Sequence, residues 1–245
     1  MKQSIFEIIE NSPLTENVYR LRVKGDTSEV TSPGQFVNIK LSGLFLRRPI
    51  SVCDWNGDTI TLIYKVVGSG TEKMSALQTG EKLDILTGLG NGFDSSLSGE
   101  IPLLIGGGVG VPPLYALSKK LVSEGKKVSV ILGFNTKSEI FYEREFSELG
   151  AHVTVTTADG SYGVPGFVTD AMDDTDFTYF YACGPEPMLK AVFKKSRVSG
   201  QLSFEERMGC GFGACMGCSC KTVTGYKRIC KDGPVLKKEE ILWEN

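Results

Sequence analysis

With 245 residues, 41% of them hydrophobic, and 29 glycines and 10 prolines, the chain is large enough for two compact domains plus an appendage and too apolar to be disordered. A formal net charge of −2 offers no broad basic face, which argues against nucleic acid or an anionic membrane as a partner. No uncharged apolar run nears the roughly 18 residues of a membrane span, and the first residues lack a signal-peptide core, so the expected location is cytoplasmic.

Residues 1–98 carry short runs in which apolar and polar positions alternate, at 4–9, 18–23, 36–41, 50–54, 59–67 and 82–86. Separated by Gly, Pro and Asp, they predict an antiparallel barrel or sandwich. Within it, Leu46-Arg47-Arg48-Pro49-Ile50-Ser51-Val52 opens a strand with a cation and a hydroxyl three residues apart, and Pro49 fixes the backbone between them. Arg48 can neutralise a phosphate and Ser51 can hydrogen-bond a flavin ring, although the same residues would also suit a plain surface strand. Ile63-Tyr64-Lys65 ends another strand. Gly68-Ser69-Gly70-Thr71 then opens a predicted helix over 72–77, whose first amides can receive a pyrophosphate. Two anion sites in one barrel point to FAD rather than FMN.

From Ile101 the texture changes. Apolar runs at 101–105, 128–132, 153–155 and 178–182 alternate with helical stretches near 112–124, 142–149 and 186–197, the pattern of a parallel sheet wound with helices. Residues 99–203 therefore read as a nucleotide domain. The first run leads directly into Gly106-Gly107-Gly108-Val109-Gly110-Val111-Pro112-Pro113, a glycine turn and a helix opened by proline, which lets a dinucleotide's phosphates approach exposed amides. Val111 stands where the third glycine of G-x-G-x-x-G would be, so a tight structural turn is the competing reading. Cys183-Gly184-Pro185-Glu186 lies between the last strand and its helix, where sheets of this type bind ligands. Asn135, Lys137 and Glu139 give no clean choice between a ribose hydroxyl and a 2′-phosphate, and His152, the one histidine, has no acid or nucleophile motif around it.

Seven cysteines are an odd count for a disulfide framework, and five crowd into the last 36 residues. Cys210, Cys215, Cys218 and Cys230 keep the C-x4-C-x2-C…C spacing of a plant-type [2Fe-2S] site. Gly209, Gly211, Gly213, Ala214 and Gly217 lack bulk, so the backbone can curl around an inorganic core and aim N–H groups at its sulfurs. A four-cysteine zinc site fits less well, because zinc knuckles pair short C-x2-4-C units. Cys220 reads as a packed neighbour, and residues 204–245 form a third, cluster-binding unit.

Taken in order, these elements resemble the ferredoxin-NADP reductase superfamily and, within it, the electron-transfer subunits of NAD-linked dihydroorotate dehydrogenase. The phrases RRPISV, YKVVGSGT, GGGVGVPPLY, ACGPEPML, ERMGCGFGACMGCSCKT and CKDGPVL carry the resemblance across essentially the whole chain. It implies FAD, a [2Fe-2S] cluster and NAD as cofactors, and a divided task in pyrimidine biosynthesis. A partner subunit holding FMN in a (β/α)8 barrel would oxidise dihydroorotate, and this chain would pass the electrons through cluster and FAD to NAD+, in an expected heterotetramer of two of each. By the same resemblance Arg48, Pro49, Ile50 and Ser51 would hold the FAD phosphate and flavin ring. Ile63, Tyr64 and Lys65 would line the flavin, and Gly70 with Thr71 would hold the pyrophosphate. Gly106, Gly107, Gly108, Gly110, Cys183 and Gly184 would face the nicotinamide cofactor. A barrel of the partner's kind takes about 250 residues, and no segment of this chain is free to build one. A flavin and iron-sulfur subunit of an NADPH-linked ferredoxin or sulfide oxidoreductase shares the domain order and is the enzymatic alternative. A redox-sensing module is the non-enzymatic one.

Overall fold

The computed structural model describes residues 1–243. Six antiparallel strands, β1 (Lys2–Pro13), β2 (Val18–Lys24), β3 (Phe36–Lys40), β4 (Arg48–Asn56), β5 (Thr59–Lys65) and β6 (Lys82–Leu89), close a barrel in the order β1-β2-β5-β4-β3-β6. Alternation explains the closure. In β3, Val37 and Ile39 enter a core with Leu21, Ile60, Leu62 and Ile85, while Phe36 packs outside against the C-terminal region and Asn38 shares its face. The helix α1 (Ser69–Ser75) follows β5 and plugs the barrel with Met74, which is fully buried.

The second unit runs β7 (Pro102–Gly107), α2 (Pro112–Ser123), β8 (Ser129–Phe134), α3 (Glu143–Glu148), β9 (His152–Thr157), β10 (Val164–Pro165), α4 (Val168–Met172), β11 (Tyr179–Cys183), α5 (Glu186–Lys195) and β12 (Gly200–Ser203). Its parallel sheet is ordered β10-β9-β8-β7-β11-β12, with Leu103 and Ile105 of β7 buried on one face and Leu104 on the other. Burial on both faces is why these strands are continuous apolar runs rather than alternating ones. Strand order reverses at β7, whose two neighbours are β8 and β11. This is the switch point where an open sheet leaves a crevice for ligands.

The C-terminal region is joined to the nucleotide sheet. After a hairpin of β13 (Ser219–Thr222) and β14 (Gly225–Arg228), the chain returns as β15 (Val235–Lys237), which pairs antiparallel with β12 and becomes the seventh strand of the nucleotide sheet. An uncovered β12 would present unpaired backbone groups, and β15 satisfies them. Asn91, just past the barrel, lashes the return in place. Its backbone N–H donates to the Gly233 carbonyl (2.7 Å), its Nδ2 to the Val235 carbonyl (2.8 Å), and its Oδ1 accepts from the Val235 N–H (3.2 Å). Barrel and nucleotide sheet also share an apolar seam in which Val18, Cys53 and Ile63 meet Val111, Leu114 and Leu117. An ion pair between Asp54 and Lys119 (3.0 Å) closes its edge. Among the described residues no helix is long and apolar enough to cross a membrane.

Candidate functional site

The adjacent arginines at the mouth of β4 have different partners. Arg47 is neutralised by Asp84, with Nη2 3.0 Å from Oδ1, and its Nη1 donates to the Asp84 and Asn38 carbonyls. Arg48 donates only to the backbone carbonyls of Leu46 (2.7 Å) and Arg47 (3.4 Å), so its charge has no carboxylate partner among the described residues. The guanidinium lies across Gly70 in the first turn of α1, where any Cβ would overlap its Nε. The two anion sites expected in the barrel are therefore one: an unneutralised cation and the free amides of a helix start converge on the same place. That is the donor set a pyrophosphate requires, and FAD fits it. The Thr71 hydroxyl is engaged with the Val67 N–H (2.9 Å) and the Gly68 carbonyl (3.0 Å), which leaves its backbone N–H as the group that could meet an anion.

Ser51 and Pro49 lie opposite Phe36 and Asn38 of β3 on the outer face of the barrel. Of the three residues expected to line a flavin, Ile63 is buried in the seam between barrel and nucleotide sheet and Lys65 is half-exposed at the strand end. Tyr64 turns the other way. Its ring stacks on Tyr19 at 5.8 Å and its hydroxyl donates to Asn11 Oδ1, so its side chain is turned away from the side that Ile63 faces.

The glycine turn lies at the switch point. Gly106, the penultimate residue of β7, is in register with Cys183 at the end of β11, and the helical turn of Gly108–Gly110 leads into α2. Gly107 and Gly184 both pack against the Met188 side chain. At Gly110 a Cβ would fall on the Cys183 carbonyl and within 2.6 Å of the Gly184 Cα, so the two ligand-facing turns touch backbone to backbone. Gly108, at φ +51, has open space where a Cβ would point. Gly110→Ala is expected to destabilise the protein by about 1–3 kcal/mol, because backbone cannot yield as a side chain would, and to weaken nucleotide binding by parting the turns. Thermal denaturation with an NADH titration checks both; an unshifted melt and affinity would refute the contact. Burial raises the Cys183 thiol to about 12 despite the opposing hydrogen bond of Ser203, so it is a neutral wall of this crevice and not a nucleophile.

The four cysteines form two pairs. Cys210 with Cys215 lies on the outer side, Cys215 being exposed, and Cys218 with Cys230 is buried, each about 2% exposed. Burial would raise the Cys210 thiol, but the N–H groups of Phe212, Cys215 and Ala214 bring it down to about 6, with Ala214 N at 3.2 Å and Cys215 N at 3.4 Å from the sulfur. Cys230, buried and next to Cys218, is pushed up to about 12, and its N–H donates to Cys218 Sγ at 3.4 Å. Among the described residues no three such side chains converge on a single point as a mononuclear cage would. Two pairs of thiols supplied with backbone donors suit a binuclear cluster, in which each iron takes two of the four cysteines. Cys220 stands apart on β13, opposite Lys227, packed among apolar residues.

The cysteine loop and the glycine turn flank the same barrel. The cluster side packs on Phe36, Leu86 and Leu89, and the glycine turn meets β5. Asn38, Arg47, Asp84 and Asn91 take part in this arrangement without having stood out in the sequence; their partners lie tens of residues away, and no local spacing marks them.

Comparison with known proteins follows the same division. Residues 205–242 match the family described as the iron-sulfur cluster binding domain of dihydroorotate dehydrogenase B, and residues 104–194 match the oxidoreductase NAD-binding domain. The dihydroorotate dehydrogenase B (NAD(+)), electron transfer subunit of Geobacillus sp. (strain WCH70) is 46% identical, with 99% of each chain covered. The protein of the same name from Fusobacterium nucleatum subsp. nucleatum is 42% identical, with 98% of this chain and 99% of that one covered. A solved structure of an NADH-dependent reduced ferredoxin-NADP oxidoreductase superposes with a TM-score of 0.89 at 32% identity, covering 98% of this chain and 90% of that chain. A ferredoxin NADP+ reductase from Neisseria gonorrhoeae with bound FAD and NADP shares the fold, with a TM-score of 0.69 at 17% identity over 80% of this chain and 90% of that chain.

Proposed function

Since the chain belongs to the family of dihydroorotate dehydrogenase B electron transfer subunits, we propose that it carries electrons from a dihydroorotate-oxidising partner subunit through a [2Fe-2S] cluster and FAD to NAD+. The observation that carries this reading is the flanking of one flavin-type barrel by a cysteine loop on one side and a nucleotide crevice on the other. The order of the sites along the molecule is the order of the electron path. FAD, when bound, supplies the exchange between two-electron hydride transfer and the single electron a cluster takes.

The residues divide the work accordingly. Arg48 and the amides of Gly70 and Thr71 neutralise the pyrophosphate, while Pro49, Ile50 and Ser51 shape the edge of the ring site, with the Ser51 hydroxyl as its hydrogen-bonding group. Ile63, the Tyr64 backbone and Lys65 line the ring, and the seam around Ile63 keeps water from the hydride path. Gly106, Gly107, Gly108 and Gly110, with Cys183 and Gly184, admit the nicotinamide cofactor to the switch point. Glu139, held at the end of β8 by Asn135 Nδ2 (2.9 Å), places an acid where a ribose hydroxyl is recognised in sheets of this kind and a 2′-phosphate would be repelled. Cys210, Cys215, Cys218 and Cys230 hold the irons. On this reading residues 1–98, 99–203 and 204–245 are the FAD, NAD and cluster regions, the last tied into the NAD sheet by β15. The partner carries FMN, the assembly is a heterotetramer of two of each, and the location is cytoplasmic; family likeness supports these three points. The subunit of an NADPH-linked ferredoxin oxidoreductase is less well supported, at 32% identity against 46%.

The isolated, flavin-replete chain is expected to oxidise NADH with an artificial dye as acceptor and to leave dihydroorotate untouched. Dihydroorotate oxidation needs a positioned base and an FMN, and every segment of this chain is occupied by the three regions above. Steady-state assays with and without the partner decide it. Dihydroorotate turnover by the chain alone would overturn the division of labour, and absence of NADH:dye activity would overturn the nicotinamide site.

A further inference from the structure

We propose that Asn38 is a positioning residue for electron transfer, holding the first cysteine of the cluster loop against the flavin strand. The proposal rests on the function given above and concerns how two of its sites are kept in register. On β3, Asn38 lies opposite Pro49 of the Arg48–Ser51 segment. Its side chain reaches the other way in sequence by 172 positions, Nδ2 donating to the Cys210 carbonyl at 3.2 Å. Among the described residues this is the one hydrogen bond from a barrel strand to the segment 210–218. Gly211 preserves it from the loop side. At φ +77 its backbone is left-handed, and a Cβ there would overlap Asn38 Nδ2, so only glycine lets the loop approach the amide.

The other end of the amide argues that Asn38 is not there for stability. The residue is 2% exposed, and its Oδ1 accepts no hydrogen bond from the described chain. Reversing the amide would set Oδ1 against the Cys210 carbonyl oxygen, acceptor against acceptor, so the orientation is dictated by that contact. A leucine would fill the same volume without stranding a buried acceptor. What the asparagine adds is control of the Cys210 peptide. A few residues after that peptide come the amides of Ala214 and Cys215 that donate to the Cys210 sulfur at 3.2 and 3.4 Å, and N–H donors to cluster sulfurs set both potential and geometry. The step affected would move one electron: in the proposed direction the cluster would be oxidised by one as the flavin is reduced by one, NADH would drive the same exchange in reverse, and no bond would be made or broken between them.

The test compares the wild type with Asn38→Leu and Asn38→Asp, both of which lack the Nδ2 donor. Iron and FAD are quantified, the dithionite-reduced cluster is examined by electron paramagnetic resonance and redox titration, and NADH is mixed in a stopped-flow spectrometer that follows flavin and cluster bands separately. Expected are altered g-values, a one-electron equilibrium shifted up to about tenfold, which is about 59 mV, and cluster bleaching about tenfold slower relative to flavin bleaching, as outer-shell partners typically give. Wild-type g-values with a wild-type ratio of rates in both variants would overturn the proposal. If either variant loses its iron, Gly211→Ala parts the same contact from the loop side and must reproduce the altered signature; an unchanged signature there also overturns it. A wild-type protein whose flavin and cluster ignore NADH would remove the function itself, whereas a wild type that bleaches normally beside identical variants removes only the role of Asn38.

Discussion

Single alanine replacements at Cys210, Cys215, Cys218 and Cys230 are expected to strip the iron from the purified protein, while Cys220→Ala keeps a full complement. Each of the four thiols is half of a pair, and a binuclear cluster with one ligand removed leaves an iron open to water. The loop has no substitute in reach. Cys220 is fixed on β13 with its thiol kept protonated by burial, and the one histidine, His152, begins β9 in the nucleotide sheet. The cluster also ties the 210–218 segment to Cys230 across the hairpin, so its loss is expected to lower the melting temperature as the removal of a cross-link does. Iron analysis and the visible spectrum measure the first effect, and calorimetry the second. Equal iron loss from Cys220→Ala and Cys215→Ala would defeat the assignment.

Arg48→Ala is expected to weaken FAD binding by roughly ten- to a hundredfold, since a charge-assisted hydrogen bond contributes about 1.5–3 kcal/mol and each 1.4 kcal/mol is a factor of ten. The fold should survive. Arg48 is half-exposed and holds only carbonyls of its own turn. Arg47→Ala is the matching control with the opposite outcome, because Arg47 and Asp84 are an ion pair in which each side chain is about 18–19% exposed. Its removal leaves a carboxylate unpartnered and is expected to lower stability more than flavin affinity. Equilibrium dialysis of FAD with thermal melts of both variants separates the two roles; full FAD affinity in Arg48→Ala would reduce it to a surface residue.

What could be read beforehand and what could not follows from the reach of each interaction. The barrel strands, the Gly106–Gly110 turn and the cysteine spacing are local patterns, in which residue type and neighbouring positions already state the constraint. The alternation in β3 and β5 announced strands, but it did not say that Tyr64 would turn inward to Asn11 while Ile63 faced the nucleotide sheet. Two anion sites were expected because Arg48 and Gly70 are 22 positions apart in sequence, and barrel closure makes them one. The three residues of β15 are too short a run to signal a strand, and their partner Gln201–Ser203 lies over thirty positions upstream. The five-residue α4 is likewise too brief to show a helical period. Asn38 resembles any polar residue on a barrel strand until its partner is known.

The return of the chain through β15 bears on how the protein is made. Barrel and nucleotide sheet can form in the order in which they leave the ribosome, as domains generally do. The strand that completes the sheet, and the Asn91 contacts that fasten it, involve residues 233–237, which are synthesised after both of those units. Cys230 precedes them by a few positions only. Flavin and nucleotide can therefore find their sites on a nascent chain before the cluster can, because the cluster's seat waits for Cys230 and the strand that follows it. Iron and sulfide are thus loaded after the barrel and the parallel strands have been made, and a growing chain stalled short of Cys230 lacks one of the four thiols that would keep them.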